Sequence, residues 1–104
     1  MKKYTFFLGL NDKDTKKQIV TTEWAENFVL QYVAWVLGWG TVSLCKWVFQ
    51  HDNGTIVIEN SIKIETLWFK EDAIYNEFAH CLAKEFNQES VLMEVSEVDA
   101  QFIS

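Results

Sequence analysis

The sequence predicts an α+β fold of four strands and two helices in the order βαββαβ. Three observations carry that prediction. Apolar residues alternate with a period of two in residues 3–10, 41–51, 55–68 and 90–98, as half-buried strands require. They recur at three- and four-residue intervals in 21–37 and 70–87, as amphipathic helices require. An Asn-Gly pair at 53–54 separates the two central strands and is the strongest short hairpin signal.

In the first strand, KYTFFLGL, residues Tyr4, Phe6, Leu8 and Leu10 share one face and Phe7 takes the other. Residues 11–20, NDKDTKKQIV, are polar and turn-like, a solvated loop. Thr21-Thr22-Glu23 caps the first helix and places an acid in its first turn. Trp24, Phe28, Tyr32, Trp35 and Val36 form one stripe, and Ala25, Val29 and Val33 another. The helix is expected to run to Leu37 and to stop at a left-handed Gly38. Gly38-Trp39-Gly40 is a short turn around one aromatic ring.

A type I′ turn at Asn53-Gly54 pairs Asp52 with Thr55 and His51 with Ile56. Phe49 then faces Ile58, Trp47 faces Asn60, Cys45 faces Ile62 and Ser43 faces Ile64. On the opposite face Lys46 meets Ser61, Val48 meets Glu59 and Leu44 meets Lys63. The second helix, 70–87, is expected to bury Ile74, Phe78, Cys81, Leu82 and Phe86. The last strand, 90–98, aligns Val91, Met93 and Val95, and 99–104 is a tail. The whole is the ferredoxin-like plan, one domain over 1–104 with both helices on one face of an antiparallel sheet. Phe7, Leu44 and Val48 are expected on the uncovered face among Lys46, Glu59 and Lys63, and a homodimer is expected through that face or a sheet edge.

Composition narrows the function classes. Aromatic residues make up 15% of the chain, which excludes a disordered protein. The net charge is −6 and every basic residue is Lys. Nucleic-acid binders favour a basic face and Arg, so direct DNA or RNA contact is not expected. Residues 71–99 hold eight acids against Lys84 alone, a surface suited to a basic partner. Cys45 and Cys81 are expected as free buried thiols. KKYTFFLGL is broken too early by Asn11-Asp12-Lys13-Asp14 to be a secretory signal, and no run reaches the ~20 apolar residues of a membrane span. A cytoplasmic protein is expected.

His51 beside Asp52 is the one adjacent pair with catalytic chemistry, but the hairpin puts it at a tip, where enclosure and a third group are lacking. His80 and Cys81 diverge by about 100° on a helix and are not paired ligands. No phosphate loop and no metal-ligand spacing is present.

The stretches FFLGLNDKDTKKQ, HDNGT and NQESV resemble small uncharacterised proteins of phages and mobile elements in Gram-positive bacteria. That resemblance implies a context, in which small acidic proteins act as inhibitors of host defence. The function expected is a non-enzymatic, anti-CRISPR-like inhibitor that covers a basic surface of its target, such as a host defence nuclease complex. Its carboxylates would be Glu71, Asp72, Glu77 and Glu85 around the second helix and Glu94 and Glu97 of the last strand, with Trp39 and Trp68 as anchors. No catalytic residue, metal or cofactor is expected on that account. The alternatives are a small-molecule binder, nucleotide-signal sponge or enzyme built on a cavity in a ferredoxin-like dimer, and a structural assembly subunit.

Overall fold

The computed structural model describes residues 1–104. Strand β1 (Lys2–Gly9) leads to helix α1 (Thr22–Tyr32), which continues as a π-helical turn over Val33–Leu37. Strands β2 (Thr41–Gln50) and β3 (Ile56–Leu67) form a hairpin, followed by α2 (Asp72–Glu85) and β4 (Leu92–Glu97). One sheet results, in the order β2-β3-β1-β4 with every neighbour antiparallel. This is the expected ferredoxin-like plan.

The core lies between the sheet and the helices. Tyr4, Phe6 and Leu8 of β1 are buried and pair with Thr66, Ile64 and Ile62 of β3, also buried. Ala25, Val29, Val33 and Leu37 press on them from one side, and Tyr75, Phe78 and Leu82 from the other. Tyr4 stacks on Tyr75 at 4.0 Å, and Phe78 sets its edge to Phe6 at 5.0 Å. Each such ring contributes about 1.5–3 kcal/mol by leaving water.

The helix ends follow local chemistry. The Thr21 hydroxyl accepts the Trp24 N–H at 3.1 Å, so α1 starts where the cap was expected. Gly38 has φ of 88° and donates its N–H to the Val33 carbonyl, which closes the π-helical turn. The outer aromatic stripe of α1 is less buried than its spacing suggested. Trp24 is 48% and Trp35 is 85% exposed, because the sheet covers only the inner stripe. Cys45 and Cys81 are free as expected but half-buried rather than buried. Cys81 sits at the edge of the α2 stripe, 3.7 Å from a Glu77 carboxylate oxygen.

The hairpin departs from expectation by one residue. Asn53 does not adopt positive φ, whereas Gly54 does, at 89°. The loop is therefore Asp52-Asn53-Gly54, a turn closed by Gly54 N–H to the His51 carbonyl, with His51 N–H bonded to Thr55. Trp47 pairs with Glu59, Val48 with Ile58, Leu44 with Ile62 and Ser43 with Lys63. A one-residue slip exchanges the faces of β2. Leu44, Lys46 and Val48 move to the helix side, and Cys45, Trp47 and Phe49 join Phe7, Glu59 and Lys63 on the uncovered face. The hairpin also outreaches the helices, so the protein measures 48 × 27 × 26 Å and leaves Leu44, Val48, Ile56 and Ile58 exposed. No helix is long and apolar enough to cross a membrane.

Candidate active site on the helix-free face

The uncovered sheet face carries a cavity of about 430 Å³. Its floor is built by alternation along four strands: Phe7 and Gly9 from β1, Trp47 and Phe49 from β2, Val57, Glu59 and Ser61 from β3, Leu92 from β4. Asn11, Asp12, Lys13 and Lys16 form one rim, Gln88, Glu89 and Ser90 another, and His51 closes the hairpin end.

Three aromatic rings, Phe7, Trp47 and Phe49, stand in the floor. Phe7 and Trp47 approach to 6.1 Å, and the Lys63 ammonium lies over the Phe7 ring at 5.9 Å. Phe49 meets the edge of His51 at 5.1 Å. One carboxylate is fixed among them. Glu59 accepts the backbone N–H of Asn11 at 3.0 Å. Its oxygens lie 2.8 Å from where a Cβ on Gly9 would stand. Gly9 does not have positive φ, so the reason for glycine there is this close approach.

The rim is an ordered loop, not merely a solvated one. Asp12 accepts the backbone N–H groups of Asp14 and Thr15, both at 3.0 Å, and Lys16 takes φ of 63° to close the turn. Asn87, at φ of 49°, donates its amide to Asp12 at 2.7 Å and to Asp14 at 2.9 Å. The Asn87 bond, followed by those from Thr15 and Asp14, holds the Asp12 carboxyl below the usual carboxylate range. Gln88 donates to the Asn11 carbonyl at 2.6 Å. The two rims are thus tied to each other, and Asn11 ties them to Glu59.

The surface residues singled out by sequence lie elsewhere. Glu71, Asp72, Glu77 and Glu85 are exposed around α2. Asp72 accepts hydrogen bonds from Tyr4 and from Lys2. Glu97 pairs with the N-terminal amine at 3.1 Å, and Glu94 lies opposite Thr5 on β4. Trp39 packs on Phe69 and Phe102, at 5.6 and 5.8 Å, and Trp68 is half-exposed. None of these eight lines the cavity. His51 does reach its rim, while His80 is exposed on α2. The floor residues have no linear motif. The signal available was Gly9, an isolated glycine inside a strand pattern, which marks close approach of another group.

No protein-family model and no curated protein matches the chain. Solved structures do. A phage SAM lyase in complex with S-methyl-5′-thioadenosine superposes with a TM-score of 0.61 and 23% identity, covering 92% of this chain and 80% of its own. A phage SAM lyase in the apo state gives a TM-score of 0.62 and 19% identity, covering 99% and 92%. At these identities the likeness establishes a shared fold, and the neighbours are phage proteins, which agrees with the phage part of the sequence resemblance and not with its Gram-positive, uncharacterised part. They are also enzymes, and one carries a small nucleoside. That finding overturns the expectation of a non-enzymatic, anti-CRISPR-like protein with a basic-surfaced protein target.

Proposed function

We propose that this protein is a lyase that degrades S-adenosylmethionine in the cavity on its helix-free face. The observation that carries the proposal is that cavity, with an aromatic floor and one fixed carboxylate, on a chain folded like a phage SAM lyase. Its volume falls in the range of about 300–1,000 Å³ usual for small-molecule sites.

The ligand's chemistry suits the lining. S-adenosylmethionine offers a flat adenine, a sulfonium and an ammonium. Phe7, Trp47 and Phe49 supply faces on which a base stacks, and such faces also attract a cation. Glu59 supplies the anion for the ammonium. S-methyl-5′-thioadenosine retains the adenosyl group, the sulfur and the methyl. A lyase that releases it must break the bond from sulfur to the methionine Cγ. The bonding pair goes to sulfur, which becomes a neutral thioether. As that bond breaks, the substrate's own carboxylate bonds Cγ from the opposite side and closes a five-membered lactone, with no water consumed and no proton moved.

That step joins an anion to a cation and leaves neither. Water stabilises the separated charges, so seating the substrate against the apolar rings of Phe7, Trp47 and Phe49 raises the reactant relative to the transition state. The protein's contribution is to hold a curled substrate with carboxylate and Cγ in line. Glu59 serves this by engaging the ammonium and leaving the substrate carboxylate free. Removing a host cofactor is a small-molecule route to anti-defence, in place of the protein-blocking route expected from the acidic surface.

The test is to incubate the purified chain with S-adenosylmethionine and separate the products. S-methyl-5′-thioadenosine and a four-carbon lactone should accumulate together in equal amounts. Substrate decay no faster than in buffer would remove the proposal.

A further inference from the structure

Ser61 stands out on the cavity floor. It is 2% exposed, in the middle of β3, opposite Gly9 on one side and Cys45 on the other. Its hydroxyl is the one buried side-chain polar atom with no hydrogen-bond partner in the protein. An unpaired buried hydroxyl costs about 1–3 kcal/mol, and alanine would remove that cost without altering the strand. A serine there is explained if a ligand supplies the partner.

Its surroundings say what kind of ligand group that is. Ser61 shares the uncovered face with Glu59 two residues away, and both border Gly9, the one floor position without a side chain. The Glu59 carboxylate fills the space that a Gly9 side chain would take, beside the floor's only hydroxyl. The aromatic rings of Phe7 and Trp47 lie alongside. We infer that Ser61 is a specificity-determining residue of this cavity, hydrogen-bonding the nucleoside part of the ligand while the rings hold its flat face. The inference rests on the proposed S-adenosylmethionine lyase activity and adds a contact that the lyase reading does not require.

The experiment compares wild type with Ser61→Ala and Ser61→Cys, the second keeping the side chain's shape at a larger volume with a weaker donor. Three quantities are read: the melting temperature without ligand, the affinity for S-methyl-5′-thioadenosine, and kcat and KM on S-adenosylmethionine. Ser61→Ala should melt no lower than wild type. Affinity for the nucleoside should fall about tenfold in Ser61→Ala, the effect of losing one neutral hydrogen bond. KM should rise with kcat little changed, since the contact is made before and during the reaction alike.

Wild-type affinity in Ser61→Ala would overturn the inference alone, with the lyase activity intact. So would a clear drop in its melting temperature, which would make the hydroxyl a structural group. A wild-type protein that neither cleaves S-adenosylmethionine nor binds the nucleoside would remove both readings at once.

Discussion

The Glu59 carboxylate lies across the bare backbone of Gly9, with both oxygens 2.8 Å from the point a Cβ would occupy. Real side chains do not tolerate that distance, so any larger residue at position 9 must move the carboxylate. The same carboxylate accepts the Asn11 N–H and so joins the cavity floor to its rim.

Gly9→Ala should therefore act through Glu59. Turnover of S-adenosylmethionine should fall at least about tenfold, as displacement by an ångström costs a positioned group that much or more. The Asn11 amide resonance should shift as its bond to Glu59 is lost. Shortening the acid should restore room, so Gly9→Ala with Glu59→Asp should be more active than the product of the two single effects predicts. A strictly additive pair would show that the two residues are not coupled.

Stability should fall at both ends of the pH scale. Hydrogen bonds from Tyr4 and then Lys2 hold the Asp72 carboxyl low, and the Lys3 ammonium does the same for Glu65. Groups with depressed folded-state values stabilise above their unfolded values, near 4, and lose that contribution as pH falls through the folded ones. Burial, followed by the Asp72 bond, pushes Tyr4 up to about 12. Its neutral form is favoured in the fold, so its contribution is complete below an unfolded value near 10 and is lost as pH rises toward 12. Burial pushes Tyr32 up to about 12 as well, so urea unfolding from pH 3 to 12 should show both declines, and Tyr4→Phe should reduce the alkaline one and leave the share of Tyr32.

The hairpin tip offers a separate check. Gly54 has φ of 89° with open space around it, so alanine there is strained rather than blocked. Gly54→Ala should lower stability by about 1 kcal/mol, read as a fall of roughly 4–8 °C in the melting temperature. Asn53→Ala should cost less, because Asn53 does not take positive φ. Equal costs at the two positions would restore the two-residue turn.

Charge reversal on α2 should leave the chemistry alone. Glu71, Glu77 and Glu85 are exposed and outside the cavity. Changing all three to Lys should keep kcat/KM within about twofold at 0.15 M salt, where exposed charges are screened beyond about 8 Å. A loss of tenfold or more would return the acidic surface to the function.

The elements were legible because burial imposes period two on strands and 3.6 on helices, and Thr21 and Gly38 mark helix ends by local chemistry. The register of β2 was not. Asn53-Gly54 satisfies the two-residue turn as a sequence, and only the backbone reveals that Gly54 alone turns left-handed. That single residue moved Trp47 and Phe49 to the uncovered face and with them the aromatic floor of the site. The site was obscured for a second reason. Gly9, Trp47, Glu59, Ser61 and Gln88 come from three strands and one loop that meet only after the sheet forms, so no spacing links them.

The most direct measurement follows S-adenosylmethionine and S-methyl-5′-thioadenosine over time with wild type and with Glu59→Gln, both checked for fold by circular dichroism. Wild type should convert many equivalents of substrate to the nucleoside, and the folded Glu59→Gln variant should be slower by at least about tenfold. A folded wild type that leaves the substrate intact would contradict the enzyme, and a fully active Glu59→Gln would contradict the cavity.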